Sequence, residues 1–464
     1  MASSTERPVD ERRDEPSELN RVISKPMLIF FIIGDILGAG IYALTGEVAG
    51  DVGGAIWASF LVSFVLALTT AFAYMELVTK YPQASGAALY VHKAFHRNFV
   101  TFLVAFAIVG SGVTSASFAA TRIGGNYFTG LTGIENPPTL IIAIVVMLLV
   151  AALNYRGIAE SIKVNIGITA IEASGLLFII LVGAWVLISG DGDPGQAFTF
   201  KDTGFGIVTG VAAGAATAFY AFIGFEDAVN LAEEVQEPHK AFPPALLTGL
   251  IVATIIYLLV AFTAAMTVPL DVLSESSGPL LEVVKEGVPG LNADRVFSGV
   301  AMIAVSNTML INMVMASRLL YGMGRQRVLP KAFAKVSPTR RTPVFSILFT
   351  TGMALLLILA VDRFSDSLTD LSDATVLLLL VGFTLVNIAV LVLRREEVDH
   401  EHFVAPTFLP VLGAIVSFIF LFPIVGRELP VYIVAGVVLL LGVVLWLVNF
   451  AVRRSTGEID KLEV

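Results

Sequence analysis

The chain has 464 residues, of which 56% are apolar, only 14% are charged and none is cysteine. A soluble domain usually carries about 25% charged residues, so this composition, with its mean hydropathy of +0.84, indicates a membrane protein and excludes disulfides and thiolate metal sites. The net charge of −9 is spread over loops on both sides of the predicted membrane, and we expect no nucleic-acid partner.

The N-terminal segment 1–25 is polar and charged, and it lacks the apolar core of a cleaved signal peptide. Behind it, the sequence predicts an all-α polytopic membrane protein with 12 transmembrane helices, because twelve apolar runs are long enough to cross a hydrocarbon core of about 30 Å. These runs lie near 27–48, 55–78, 98–121, 138–154, 158–188, 205–233, 244–268, 295–323, 343–361, 371–393, 407–425 and 430–452.

The order of the runs predicts two halves of five spans, 26–190 and 200–393, followed by two further helices in 403–452 and a polar tail, 453–464. Lys and Arg residues set the orientation of such a chain. With both termini in the cytoplasm, 23 of the 29 fall on the cytoplasmic side. The exceptions are Arg122, Lys201, Lys285, Arg295, Arg363 and Arg427. We therefore predict cytoplasmic termini and a location in the cell membrane.

Glycines interrupt the first predicted span at 34–42 (GDILGAGIY). An unwound backbone persists in hydrocarbon only where it lines a cavity or meets a ligand. Gly38 and Gly40, with small Ala39 between them, let backbone amides approach an anion closely. A half-helix that begins near Ile41 would direct its positive end to the same place, which favours a carboxylate.

A matching interruption occurs in the sixth span at 220–227 (YAFIGFED). Carbonyls freed around Tyr220, Phe222 and Ile223 would accept hydrogen bonds from an ammonium group. Together the two interruptions predict a site for an amino acid zwitterion near the bilayer midplane, as in secondary transporters. The alternative is that the glycines serve close helix packing, since Gly34 and Gly38 also form a GxxxG pattern.

Four stretches resemble the amino acid–polyamine–organocation superfamily of permeases. They are 38–42 (GAGIY); 76–77 with 81–90 (YPQASGAALY); 224–226 with 232–238 (AEEVQEP) and 242–245 (FPPA); and 317–325 (SRLLYGMGR) with 329–330 and 342–343. The resemblance covers about residues 20 to 345. It implies a LeuT-like, five-plus-five inverted repeat with broken helices 1 and 6 and two extra C-terminal helices.

The resemblance also implies a binding site. The amides of Ala39 and Gly40 would meet the substrate carboxylate, the carbonyls of Ile36, Tyr220 and Ile223 would meet its amine, and the Tyr220 ring would cover it. Some relatives have a serine where Ala39 stands, so only the amide remains here. The full set of predicted substrate-binding residues is Ile36, Gly38, Ala39, Gly40, Tyr220, Ile223, Gly224 and Phe225.

Acidic residues within spans are costly there and are candidates for coupling. Glu226 follows the second interruption and either takes part in coupling or caps free N–H groups, and Asp227 has the same two interpretations. Glu172 stands in the fifth span where proton-coupled relatives often have a lysine, and we expect it to be the protonation site. The alternative is a protonated acid bonded to a neighbouring helix. Asp35 either binds a cation or forms a hydrogen bond with Ser306, Asn307 or Thr308 of the eighth span.

The third span has no acid, which favours a neutral amino acid over a cationic one. We therefore predict a secondary active transporter of neutral amino acids that works by alternating access, coupled to protons, with sodium as the alternative. Exchange of amino acids, or transport of cationic amino acids or polyamines, remains open, as does a transporter-like sensor or a channel. The five histidines lie in or near loops and form no catalytic set, so we expect no enzyme, cofactor or metal site.

Overall fold

The computed structural model of the protein describes residues 21–83, 86–156, 161–201, 206–289, 293–325, 328–340, 342–364 and 370–455. The architecture within these ranges is all-helical, and eleven helical segments described there, some of which join two or more consecutive helices, are long and apolar enough to span a membrane. The protein is therefore a multi-pass membrane protein, as the composition predicts.

The α-helices are numbered in chain order. They are α1 (Lys25–Ile36), α2 (Ala39–Val52), α3 (Ile56–Lys80), α4 (Gly86–Phe95), α5 (Asn98–Arg122), α6 (Phe128–Thr132), α7 (Thr139–Arg156), α8 (Ser161–Ser189), α9 (Ile207–Ala218), α10 (Pro238–Thr267), α11 (Leu270–Glu275), α12 (Pro279–Gly287), α13 (Ala293–Arg325), α14 (Val344–Phe364), α15 (Asp370–Leu393), α16 (Phe408–Ile419) and α17 (Leu429–Ser455).

Most predicted spans agree with these helices to within a few residues, but two differ. The helix α10 begins at Pro238, six residues before the predicted start, because proline is tolerated in the first turn, where its missing N–H is not needed. The predicted span 407–425 contains only the 12 residues of α16. A proline at 423 ends this region in a short 3₁₀ turn, since the residue before a proline disfavours the helical conformation.

Short helices also fill the connections between spans, where the sequence analysis assigned none. The clearest is α12, which buries one apolar face, including Leu280, Leu281 and Val284, and packs against α8. Such helices are too short to be recognised by their length, although alternation of apolar and polar residues is visible in α12.

The interrupted helices occupy the centre of the bundle. The first one, α1 and α2 together, packs through α1 against α8 and α10 and through α2 against α9, while α13 packs against α5 and α8. Both interruptions therefore face packed helices rather than the lipid-facing surface of the bundle.

We call the face at which α1 begins the N-face. There, Glu76 of α3 is almost fully buried and accepts two hydrogen bonds from Arg394, at 2.7 Å from Nε and 2.6 Å from Nη2. The backbone N–H of Ala405 donates to the same carboxylate at 2.8 Å. Hydrogen bonding to Glu76 raises the pKa of Arg394. These contacts fasten the segment between α15 and α16 to the end of α3.

At the opposite face, Arg122 of α5 forms an ion pair with Glu47 of α2. The Arg122 guanidinium also lies 4.9 Å from the centre of the Phe118 ring, within the range of a cation–π contact. One arginine therefore joins α2 to α5 above the centre of the bundle.

The chain before α1 is attached to the segment that follows the sixth predicted span. The Ile23 N–H donates to the Glu234 carbonyl, and the Gln236 N–H donates to the Ile23 carbonyl, each at 2.9 Å. This pair of hydrogen bonds forms an isolated parallel β-bridge between Ile23 and Val235.

Candidate substrate-binding site

The first interruption is only two residues long. The helix α1 ends at Ile36, and α2 begins at Ala39, two residues before the predicted start near Ile41. The Ala39 N–H donates to the Thr308 hydroxyl of α13 at 3.0 Å. A Cβ atom at Gly38 would lie 2.1 Å from the Thr308 hydroxyl oxygen. Glycine at position 38 thus allows α13 to approach the opened backbone.

The second interruption is longer. After α9 ends at Ala218, the chain forms a 3₁₀ turn over Phe219–Phe222, extends at Ile223, and turns at Gly224 before a second 3₁₀ segment. The φ angle of Gly224 is +128°, a conformation that side-chain-bearing residues rarely adopt. A Cβ atom there would also lie 2.8 Å from the Asp35 carbonyl oxygen, so Gly224 is required by both conformation and space.

The two interruptions contact each other. A Cβ atom at Gly40 would lie 2.5 Å from the Cα of Ala221, so the two backbones touch at this point. The Tyr257 hydroxyl of α10 lies 2.5 Å from the Ile36 carbonyl oxygen and 2.9 Å from the Ala221 carbonyl oxygen. Close packing and opened backbone, which the sequence analysis treated as alternatives, therefore occur together.

A small cavity lies between the interruptions and measures about 20 Å³, room for roughly one water molecule. Nine predicted site residues line it: Asp35, Ile36, Gly38, Ala39, Gly40, Tyr220, Ile223, Gly224 and Asp227. The predicted residues Phe225, Glu226 and Glu172 are buried nearby but do not line it. The two glycine-containing segments therefore predicted most of the residues that line the cavity.

Three lining residues were not among the predicted binding residues: Ser115, Thr308 and Asn312. Asn312 donates to the Thr308 carbonyl at 2.9 Å, one helical turn away on α13. Their polarity could have identified them as candidates, because polar side chains in an apolar span usually face the bundle interior. What the sequence could not supply is which of several such residues face this cavity.

Tyr220 is anchored on one side of the cavity. Its hydroxyl lies 2.8 Å from the Ser115 hydroxyl, and its ring meets Phe118 edge to face with the ring centres 5.2 Å apart. Phe118 in turn contacts Arg122, which pairs with Glu47. A continuous set of contacts thus leads from the cavity to the face opposite the N-face.

Four acidic residues surround the cavity, and none belongs to an ion pair among the described residues. Glu172 is fully buried, and the hydrogen-bonding side chain beside its carboxyl group is Asn307 of α13. Oδ2 of Asp35 has no hydrogen-bond partner in the described part of the chain. Glu226 accepts a hydrogen bond from the Gly224 N–H, two residues before it, at 2.9 Å, and its side chain does not cap the 3₁₀ segment Asp227–Leu231 that follows.

The polar run of α13 is engaged differently from the pairing with Asp35 that the sequence suggested. Ser306 donates to the Met302 carbonyl at 2.7 Å, and Thr308 accepts from Ala39. The Asn307 side chain interacts with the Glu172 carboxyl group rather than with Asp35. Across the same described ranges, no group of three His, Asp or Glu residues is arranged to hold a metal ion.

Comparison with known proteins agrees with this architecture. The sequence profile described as amino acid permease matches residues 23–455, which is nearly the whole chain. The chain is 28% identical to a methylthioribose transporter of Bacillus subtilis (strain 168), with 87% of each chain covered.

Two further relatives are named for amino acids. A branched-chain amino acid permease of the same bacterium, BcaP, is 26% identical over 92% of each chain. The vacuolar cationic amino acid transporter 4 of Arabidopsis thaliana is 29% identical over 84% of this chain and 66% of its own length. The match over residues 23–455 shows that the chain belongs to the amino acid permease family, whose members are transporters rather than enzymes.

Proposed function

We propose that the protein is a secondary transporter that moves small neutral amino acids across the cell membrane by alternating access, coupled to protons. The observation that carries this proposal is the contact between two interrupted helices at a cavity lined by residues of both interruptions. In hydrocarbon, such backbone is tolerated where it meets a ligand or a cavity.

The proposed topology has twelve spans and cytoplasmic termini. In it, α1 with α2 forms the first span of one five-span half, α9 and the 3₁₀ segments after it form the first span of the other, and α16 with the turn after it forms the eleventh span. The Lys and Arg distribution supports this orientation.

The substrate carboxylate is assigned to the start of α2. The Ala39 N–H already donates to Thr308, so a carboxylate would take that hydrogen bond over. The Thr308 hydroxyl can then rotate and donate to the carboxylate, because a hydroxyl is both donor and acceptor. Gly40 offers a second amide without side-chain obstruction.

The ammonium group is assigned to the carbonyls of Ile36, Tyr220 and Ile223, with Asp35 and Asp227 supplying negative charge beside them. All five residues line the cavity. A free amino acid has several times the volume of a water molecule, whereas the cavity measures about 20 Å³. Entry of substrate therefore requires the helices around the interruptions to separate, as alternating access demands.

Coupling is assigned to Glu172, with Glu226, Asp227 and Asp35 as further proton-binding groups. A carboxylate in the interior of a membrane protein is stabilised by a cation, a hydrogen-bond donor or a proton. Beside the Glu172 carboxyl group lies the neutral side chain of Asn307, and no cation pairs with Glu172 among the described residues. Taking up and releasing a proton at Glu172 during transport fits this environment.

A cationic amino acid is the second candidate substrate. Two carboxyl groups, those of Asp35 and Asp227, line the cavity. One of them is sufficient to balance the α-ammonium of any amino acid, so the other is free to bind a cationic side chain. Competition between alanine and lysine for uptake, in wild type and in Asp227→Asn, distinguishes the two substrates.

The experiment that tests the proposed function is uptake of a panel of radiolabelled amino acids into proteoliposomes, with and without a proton gradient. We expect saturable uptake that the gradient stimulates. Glu172→Gln is expected to remove the stimulation, whereas Glu135→Gln, at an exposed position in a loop, retains it. Unchanged stimulation in Glu172→Gln would contradict the coupling role, and stimulation by sodium alone would replace protons as the coupling ion.

The site itself is tested with a pair of glycine variants. Gly40→Ala places a methyl group against the Ala221 backbone, whereas Gly322→Ala on α13 places one where no atom lies within 4 Å. We expect the first variant to lose uptake and the second to retain it. Equal uptake by the two variants would show that contact between the interruptions is dispensable for transport.

A further inference from the structure

Tyr257 is a buried residue that belongs to none of the recognised motifs. It lies near the middle of α10 and has no exposed surface. Its ring packs against Phe222, with ring centres 5.3 Å apart, and against Phe60, at 5.6 Å. These contacts fix the direction in which its hydroxyl points.

The hydroxyl lies between the two interruptions. It is 2.5 Å from the carbonyl oxygen of Ile36, the last residue of α1, and 2.9 Å from the carbonyl oxygen of Ala221 in the second interruption. Carbonyls at the end of a helical segment lack a partner within that segment, so a side chain must supply one. A single side chain of a third helix does so for both segments.

The donor capacity of this hydroxyl is limited. A tyrosine has one O–H proton, so the two carbonyls share one donor, although the Ile36 carbonyl also accepts from the Gly38 N–H at 2.8 Å. An ammonium group has three donors and can bond to a carbonyl that retains a free lone pair. When Tyr257 donates its proton to the Ala221 carbonyl, the Ile36 carbonyl, which accepts from the Gly38 N–H, keeps one of its two lone pairs for a substrate ammonium.

We propose that Tyr257 is a positioning residue, whose hydroxyl fastens the two interrupted helices to each other and holds the Ile36 carbonyl in place for the substrate ammonium. The second part of this inference rests on the proposed amino acid transport. The first part concerns the packing of the two interruptions and is independent of the substrate.

Tyr257→Phe is the variant that tests the inference, since it removes the hydroxyl and retains the ring between Phe60 and Phe222. Tyr90→Phe is the matched control. Tyr90 is also fully buried, but its hydroxyl has no hydrogen-bond partner among the described residues. The two substitutions thus remove the same atom, once with two carbonyl contacts and once with none.

Hydrogen exchange, followed by mass spectrometry on the purified full-length protein without substrate, tests the fastening. In Tyr257→Phe we expect faster exchange in peptides that cover both interruptions, 36–41 and 219–227, with the two peptides changing together. Tyr90→Phe is expected to match the wild type in both. Wild-type exchange rates in Tyr257→Phe would overturn the inference, whatever the protein transports.

Uptake kinetics test the role in substrate binding. We expect KM for the transported amino acid to rise about tenfold in Tyr257→Phe, the change in binding that the loss of one well-placed hydrogen bond produces, with Vmax reduced less than twofold. A merely structural role would instead lower Vmax through loss of folded protein and leave KM unchanged. That result would overturn the role of Tyr257 in substrate binding. If the wild type takes up no amino acid, the proposed function fails, and the exchange experiment still decides the fastening.

Discussion

Buried acids near the two faces of the bundle differ from those at its centre. Glu76 and Glu47, near opposite faces, each form an ion pair with an arginine. None of the four acids around the cavity is part of an ion pair in the described part of the chain, and the group beside the Glu172 carboxylate is the neutral Asn307 side chain. Pairing compensates the cost of burying a charge, and an unpaired buried acid weakens a fold. The difference separates acids that stabilise the bundle from acids that we assign to binding and coupling.

The largest expected effect comes from breaking the pair at the N-face. Arg394→Ala leaves the Glu76 carboxylate without its charged partner, with the Ala405 N–H as its remaining described donor. The Glu76 side chain is only 2% exposed, so we expect a loss of about 3–5 kcal/mol in the free energy of unfolding, measured by denaturation in detergent.

The double variant Glu76→Ala with Arg394→Ala serves as the control. We expect it to be less destabilised than the sum of the two single variants, since the second substitution removes the uncompensated charge. Strict additivity would show that the pair does not act as a unit.

A smaller loss is expected at the opposite face. Arg122→Ala removes the partner of Glu47 and the contact with Phe118. The Glu47 side chain is 24% exposed and can be rehydrated, so we expect a loss of about 1–3 kcal/mol. Arg295→Ala, at an exposed position, is the control and should change the thermal midpoint little. A loss as large as that of Arg394→Ala would remove the distinction between the two faces.

At the centre of the bundle, replacing an acid should no longer lower the free energy of unfolding. Glu172→Gln replaces a carboxyl group that has no charged partner among the described residues with a neutral amide of nearly the same shape, which can still bond to Asn307. We expect the free energy of unfolding to stay equal or to rise by up to about 1 kcal/mol. Thermal denaturation of the purified variant provides the measurement, and a loss of more than about 1 kcal/mol would reveal a stabilising partner of Glu172.

The smallest effect is expected for an exposed ion pair. Lys240 and Glu237 lie 3.1 Å apart at the start of α10, with side chains 67% and 66% exposed. Lys240→Ala should change the free energy of unfolding by less than about 0.5 kcal/mol, within the error of most denaturation curves. A clear loss would mean that burial is not what separates weak from strong pairs in this protein.

The parts of the molecule that were predicted from the sequence depend on local patterns. Apolar runs predicted the long helices, and the glycines at 38, 40 and 224 predicted where two of them are interrupted. Each of these glycines lies where a side chain would collide with another segment. The glycines that are visible in the sequence therefore mark the close contacts that are seen in the structure. The shortened α16 was not anticipated, because the proline at 423 lies inside an otherwise continuous apolar run.

Contacts between residues that are far apart in the sequence were harder to predict. The hydrogen bond from Ala39 to Thr308 joins residues 269 positions apart, and that from Tyr257 to Ile36 joins residues 221 apart. Nothing in the sequence near Tyr257 marks it, because a tyrosine in an apolar span usually packs as a core residue. Only the arrangement of three helices shows that its hydroxyl lies between the interruptions.

The β-bridge at Ile23 has a practical consequence for the handling of the protein. Because Ile23 is hydrogen-bonded on both sides to the segment 234–236, a load attached to the N-terminus is transmitted to the chain that follows the second interruption. Fluorescent proteins, surface tethers and affinity tags joined close to residue 21 would therefore act on the segment 234–236. The same attachments placed after α17 avoid this bridge, which makes the C-terminus the better anchor for single-molecule and biosensor formats.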